Sequence, residues 1–189
     1  VDVPAWRQDF YAISLAWQPG KEAGNAIADV ISGKTNPSGR LATTFPMKYD
    51  DVPSAKNFPG KEFPEKAITG NFGMKMIPAE VTYAEGIYVG YRAFDKRNIA
   101  PLFPFGYGLS YTTFRMDNMK LSSPTLAANG QLTAQVRVTN TGERAGAQVV
   151  QLYVRDPNPK VDKPVRELKG FAKVLLQPGQ SQIATIALS

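Results

Sequence analysis

The sequence contains neither cysteine nor histidine. Without a thiol or an imidazole there is no Ser-His-Asp or Cys-His nucleophile pair, no His or Cys zinc site and no disulfide within this polypeptide. Chemistry served by these residues has to use carboxylates, hydroxyls, amines or backbone groups. Also missing is any apolar run near the roughly 20 residues that a bilayer helix needs, so a soluble chain with no membrane partner is expected. The start Val1-Asp2-Val3-Pro4 lacks the basic flank and apolar core of a signal peptide. The lack of cysteine leaves the redox compartment open.

Positive charge is present but unclustered. There are 22 Lys and Arg against 16 Asp and Glu, a net charge of +6, yet Lys96-Arg97 is the only adjacent basic pair between Arg7 and Lys173. Neutralising phosphates requires clustered cations, so a solvated surface is expected and nucleic acid is not expected as a partner. With 43% hydrophobic and 20% charged residues over 189 positions, the composition is globular, and the length suits one domain plus part of another.

Phe10 to Trp17 is an apolar, β-branched and aromatic run that ends at the turn signal Gln18-Pro19-Gly20, and it predicts a buried strand. Glu22 to Ile31 places Ala23, Ala26, Ile27, Val30 and Ile31 on one helical face. Glu22 falls in the first turn and Gly33 where a left-handed cap is wanted. A turn at Asn36-Pro37-Ser38-Gly39 then returns Arg40 to Phe45 as a second strand, and strand, helix, strand suggests the edge of an α/β layer. From Met47 to Pro78 five Lys, four Pro and three Gly break any periodicity, which predicts a long excursion. Thr82 to Phe94 regains strand character, interrupted by Gly86 and Gly90. Aromatic, Gly and Pro residues crowd Phe103 to Gly108.

After Phe114 the pattern is all-β. Leu132, Ala134, Val136 and Val138 alternate with polar residues, Asn140-Thr141-Gly142 supplies a turn, and Val149 to Val154, Val165 to Leu176, a Gln177-Pro178-Gly179-Gln180 turn and Ile183 to Leu188 follow at the spacing of a β-sandwich. Composition therefore divides the chain into 1–48, the end of an α/β domain; 49–113, an irregular loop and linker; and 114–189, a β-sandwich. The last part has 76 residues against about 100 for a complete sandwich, so truncation at both ends is expected.

Several motifs carry a resemblance. Trp17-Gln-Pro-Gly-Lys-Glu-Ala-Gly-Asn-Ala26, Asn36-Pro-Ser-Gly-Arg-Leu41 and Thr44-Phe-Pro46 resemble the late part of the α/β sandwich domain of family 3 glycoside hydrolases. Glu85-Gly-Ile-Tyr-Val-Gly-Tyr-Arg92 and Pro104 to Phe114 resemble the segment leading out of that domain. Val138 to Gly142, Val149 to Val154 and Arg166 to Phe171 resemble its fibronectin type III-like, immunoglobulin-like domain. The Glu85 to Asp95 stretch is more similar to the β-glucosidase branch than to the β-xylosidase branch.

The resemblance implies a parent that is a retaining, exo-acting β-glucosidase removing terminal β-linked glucosyl residues with two carboxylates. In the family the nucleophile is an Asp of an N-terminal (β/α)8 barrel, and the acid/base is usually a Glu upstream of Val1. Neither motif is present, so no catalytic, cofactor-binding or metal-binding residue is assigned here, and the chain alone is expected to be an inactive scaffold. The implied partners are a β-glucoside or oligosaccharide, through the parent, and the barrel of the same protein. No cofactor is implied, oligomeric state is left open, and a periplasmic or extracellular location follows by analogy. The alternatives are a β-xylosidase or other exo-glycosidase of the family, or a non-catalytic carbohydrate- or protein-binding sandwich.

Individual residues carry two readings each. Glu85, with Tyr91, Arg92 and Asp95, either lines a subsite or forms a Glu85–Arg92 pair at a domain junction. Trp17 is a sugar-stacking platform or a core residue, and Trp6 is expected to be exposed. Gly86, Gly90, Gly106 and Gly108 lack the context of a phosphate cradle and suit close backbone approach among aromatics. Asp50-Asp51 is a weak cation site or a solvated turn. Lys56, Asn57, Phe58, Lys61, Glu62, Phe63 and Lys66 border a sugar entrance or form a variable surface excursion.

Overall fold

Apolar residues at three- and four-residue spacing wind Ala23–Ile31 into helix α1, as the sequence predicts. Glu22 stands at its N-terminus and accepts a hydrogen bond from Asn25 Nδ2 at 2.6 Å. At the other end Gly33 takes φ +76°, and its N–H closes on Val30 O at 3.0 Å, the left-handed stop that a side chain would strain. This computed structural model describes residues 3–188, so Val1 and Asp2 of the N-terminal start lie outside the described residues.

The excursion from Met47 to Pro78 is built from 3-10 turns and two minimal antiparallel pairs. Strand β1 (Lys61–Glu62) pairs with β4 (Ala79–Glu80), and β2 (Ile68–Thr69) pairs with β3 (Lys75–Met76). Where the sequence predicts a strand over Thr82 to Phe94, the structure has helix α2, Tyr91–Arg97. Gly90 at φ +55° breaks the extended run. Tyr91 and Phe94 then share a helical face, Lys96 and Arg97 fall in the last turn where cations favour the dipole, and Asn98 in the left-handed region ends the helix.

Five strands follow: β5 (Phe114–Leu121), β6 (Leu132–Asn140), β7 (Gly146–Val154), β8 (Glu167–Leu176) and β9 (Ser181–Leu188). One sheet has the order β5-β6-β9 and the other pairs β7 with β8, all antiparallel. The alternation in β6 does what period two requires. Val138 is fully buried while Gln135 and Thr139 face outward, and Val138, Val150, Val174, Leu176, Ala184 and Ile186 form the core. The turns at Asn140-Thr141-Gly142 and Gln177-Pro178-Gly179-Gln180 stand where the sequence places them. They join strands of opposite sheets rather than closing hairpins. Asn140, buried, fixes the first crossing: its Nδ2 donates to Arg144 O (2.7 Å) and Leu176 O (3.0 Å), and its Oδ1 accepts from Thr112 Oγ1 (2.7 Å) and Gly142 N (3.1 Å).

The chain groups into two compact units. One comprises the stretch up to Asp9, Thr43–Phe105 and Pro159–Val165; the other comprises Phe10–Ala42, Gly106–Asn158 and the remainder from Arg166. In the second, the loop after α1 is tied to the sandwich. Asn36 donates to Ala145 O at 2.9 Å and accepts from Tyr111 N at 2.8 Å, Arg40 donates to Gln148 Oε1 at 2.8 Å, and Lys173 donates to Ser38 Oγ at 2.8 Å.

The predicted buried strand over Phe10 to Trp17 is not formed. No described strand pairs with it, and an extended segment without ladder neighbours has unsatisfied backbone groups. Phe10, Tyr11, Ile13, Leu15 and Trp17 are exposed, as is Ile31 of α1. Arg40 to Phe45 likewise yields only a bridge between Phe45 and Phe103 and hydrogen bonds from Leu41 N to Tyr107 O (2.8 Å) and Gly106 N to Leu41 O (2.7 Å).

Candidate functional site

A tight turn and a short helix build the site. Gly86 at φ +56° lets the chain reverse so that Tyr88 N donates to Glu85 O at 3.0 Å, a turn chemistry that favours glycine. Helix α2 then places Ala93, Lys96 and Arg97 at i, i+3 and i+4, on one side. Together Ala84, Glu85, Tyr88, Ala93, Lys96 and Arg97 line a cleft of about 270 Å³.

Its electrostatics are specific. Lys96 forms an ion pair with Asp162, which belongs to the same compact unit, and its ammonium lies 5.3 Å from the centre of the Tyr88 ring. Asp162 raises the pKa of Lys96, and Lys96, followed by Tyr88, lowers that of Asp162. Burial, followed by the neighbouring Asp162 carboxylate, raises that of Tyr88. The Tyr88 hydroxyl nevertheless falls short of hydrogen-bond geometry with Asp162, and Tyr88 Oη and Glu85 Oε1 are both buried atoms without a hydrogen-bond partner. A carboxylate oxygen held from water without a donor costs about 1–3 kcal/mol or more, so the cleft is polarised toward something that donates.

The cleft takes up Glu85 but not its expected companions. Glu85 does not pair with Arg92, correcting the junction-pair reading: Arg92 lies over the Tyr91 ring at 6.0 Å, and Tyr91 meets Phe105 at 5.5 Å between ring centres. Arg92 is four residues before Lys96 on α2, yet it is not among the residues that line the cleft. Trp17 is 75% exposed at φ 51°, so the core reading fails with the strand that was to bury it, and Trp6 is half-buried rather than exposed. Asp51 is buried and accepts from Lys48 N at 3.2 Å, capping its turn instead of being solvated. No group of three or more Asp or Glu able to hold a metal occurs among the described residues.

Gly106 abuts the Gln151 side chain, and a Cβ on Gly108 would lie 2.7 Å from Gly39 O; the close approach is to polar groups, not to the stacked rings expected. In the excursion, Phe63 holds Lys61 at 5.3 Å and Lys66 at 4.5 Å from its ring centre, and Phe58 is exposed. The sequence reading missed Tyr88, Lys96 and Asp162 as a group. Lys96 and Asp162 are 66 positions apart, and no local pattern signals that pairing.

Comparison with known proteins places the chain. The glycosyl hydrolase family 3 C-terminal domain matches residues 1–91, and a fibronectin type III-like domain matches residues 148–189. These matches liken the chain to the C-terminal part of glycosyl hydrolase family 3 proteins. It is similar to a probable β-glucosidase I of Aspergillus terreus, 45% identical over 97% of this chain and 20% of that protein. Among solved structures it is similar to β-glucosidase 3B from Thermotoga neapolitana, with 44% identity, a TM-score of 0.84 and coverage of 100% of this chain and 24% of that one. A Bifidobacterium adolescentis family 3 β-glucosidase shows 38% identity and a TM-score of 0.84, over 100% and 25%. The chain thus spans about a fifth of the length of the curated relatives it matches. Its architecture is the end of the family 3 α/β domain followed by the fibronectin type III-like sandwich. No helix among the described residues is long and apolar enough to cross a membrane.

Proposed function

We propose that these 189 residues are the C-terminal scaffold of a retaining, exo-acting β-glucosidase. The observation that carries this reading is similarity to β-glucosidases running through 97–100% of the chain while covering only 20–25% of the relatives. Double displacement needs two carboxylates on either side of the scissile bond, about 5–5.5 Å apart. Of the six residues lining the cleft, Glu85 is the one carboxylate, and Asp162 beside it is committed to Lys96. The reacting pair is therefore assigned to the remainder of the parent, an N-terminal barrel and the earlier part of the α/β domain, with a terminal β-glucoside as substrate.

The scaffold's surface supports the same reading. The exposed run Phe10 to Trp17 and the exposed face of α1 have the apolarity of an interior strand and its covering helix in a sheet protected on both sides. The domains of the parent then divide the chain at 1–48, 49–113 and 114–189, and export to the periplasm or outside the cell follows by family analogy. The test is turnover of an aryl β-glucoside, beside the aryl β-xyloside, by the 189-residue chain and by the full-length parent. The parent is expected to prefer the glucoside and the chain to be silent. Hydrolysis by the chain alone, or a parent selective for the xyloside, refutes the proposal.

A further inference from the structure

Glu85 Oε1 poses a problem that nothing else among the described residues resolves: an acceptor sheltered from water, in a cleft with room for a ligand, receiving no hydrogen bond. The charges around it narrow what can donate. Glu85 and Asp162 stand against Lys96 and Arg97, so the cleft and its rim are balanced. An incoming ammonium or guanidinium meets two cations, and an anion meets two carboxylates. An apolar molecule leaves Glu85 unsatisfied. A neutral molecule bearing several hydroxyls satisfies every group, since each hydroxyl both donates and accepts.

We propose that the cleft between the 85–88 turn and helix α2 is a binding site for a neutral polyol or monosaccharide. One hydroxyl donates to Glu85 Oε1, another meets the Tyr88 hydroxyl, and Ala84 and Ala93 supply the small apolar walls on which the C–H face of such a ligand rests. Lys96 is held in place by Asp162 and packs over the Tyr88 ring, so it positions Tyr88 rather than competing for the ligand. Arg97, on the same side of α2, offers a donor to an acceptor oxygen. A volume of about 270 Å³ accommodates one small ring. The proposal rests on the cleft alone and does not depend on where the parent's reacting pair lies.

The test is a titration of the 189-residue chain with glycerol and with glucose, followed by amide NMR, in which the dispersed spectrum of each sample also reports whether it is folded. The expected result is saturable shifts at Glu85, Tyr88 and Ala93. E85Q, nearly the same shape but uncharged, should weaken binding about tenfold, because charge-assisted hydrogen bonds are roughly twice as strong as neutral ones. E85L should abolish it, and Y88F should weaken it by a smaller factor. Three results overturn the proposal: no saturation by either polyol, shifts centred away from the turn and α2, or tighter binding of ethylammonium than of glycerol. If E85L does not fold, E85Q and Y88F decide the matter, and wild-type binding unchanged in both also overturns it.

Discussion

Two apolar patterns in the second compact unit have opposite fates. In the sandwich, alternation along β6 meets alternation along β7, β8 and β9, and Val138 and Leu176 are fully buried. In residues 10–31, a strand-like run and an amphipathic helix carry patterns as clear, yet Leu15 is 50% and Ile31 74% exposed. A pattern states that a residue is to be buried; it does not supply what buries it. Transfer from water stabilises by roughly 25 cal/mol per Å² of apolar surface only once that surface is covered. The sandwich carries its cover within these residues, and the described residues leave much of the 10–31 segment uncovered.

The largest expected effect breaks the sandwich side of the comparison. Leu176→Ala removes a fully buried side chain from the core and is expected to cost about 2–5 kcal/mol. Ile31→Ala, on the exposed face of α1, is expected to change the stability of the chain by less than about 0.5 kcal/mol. Urea unfolding of both variants measures the contrast. Similar losses would mean that α1 is covered in solution after all.

Asn140→Ala comes next. It leaves Arg144 O and Leu176 O without their donor and Gly142 N and the Thr112 hydroxyl without their acceptor. Some of these groups can recover water, so the expected loss is about 2–3 kcal/mol, between one and several hydrogen bonds. Asn140→Asp sharpens the test: it keeps an acceptor for Thr112 Oγ1 and Gly142 N but sets a carboxylate oxygen against Arg144 O and Leu176 O in a fully buried site, so at neutral pH it is expected to cost at least as much as Asn140→Ala in the same urea experiment.

What was legible in the sequence follows from this contrast. Short-range information was readable: the 3.6-residue period of α1, the glycine at its end, the period of two in β6, and the turns at 140–142 and 177–180. Partner choice was not. Those turns are equally good at closing a hairpin or crossing between sheets, and only packing of β7 on β8 decides the crossing. Tyr91 to Phe94 read as β, as the end of the Thr82 to Phe94 run, because its tyrosines, isoleucine and valine favour strands, and tertiary burial of Ala93 and Phe94 overrode that preference. In the cleft, Glu85 stood out as a carboxylate between an alanine and a glycine. Its assignment to Arg92 failed because Glu85 lies in the turn before α2 and Arg92 within the helix, and their spacing in sequence fixes no distance between them. Asp162 could not be found at all, since its pairing with Lys96 is made by the fold. The family resemblance, by contrast, rested on motifs such as Asn36-Pro-Ser-Gly-Arg-Leu41, and it held because motif order survives without any knowledge of partners.

The smallest effect probes the outer face of the sandwich, where pattern and partner are both electrostatic. Asp117 on β5 accepts from Arg137 Nε of β6 at 2.8 Å and from Arg115 Nε at 3.0 Å. The Arg137 hydrogen bond, more than any other influence, holds its carboxyl below the ordinary carboxylate range. A carboxyl whose folded pKa is depressed stabilises the folded state fully above its unfolded pKa, about 3.9, and loses that contribution as pH falls through the folded value. The gap in melting temperature between wild type and Asp117→Asn is therefore expected to be small and constant from neutral pH to about 5, and to close in stronger acid. Because the side chain is 27% accessible, 1 M salt should shrink the gap at pH 7. Ile31→Ala, whose effect is not electrostatic, should show neither dependence. A gap at Asp117 that persists unchanged at pH 2 and in high salt would show that the residue acts through strand packing, and the outer face would then belong with the core in the comparison.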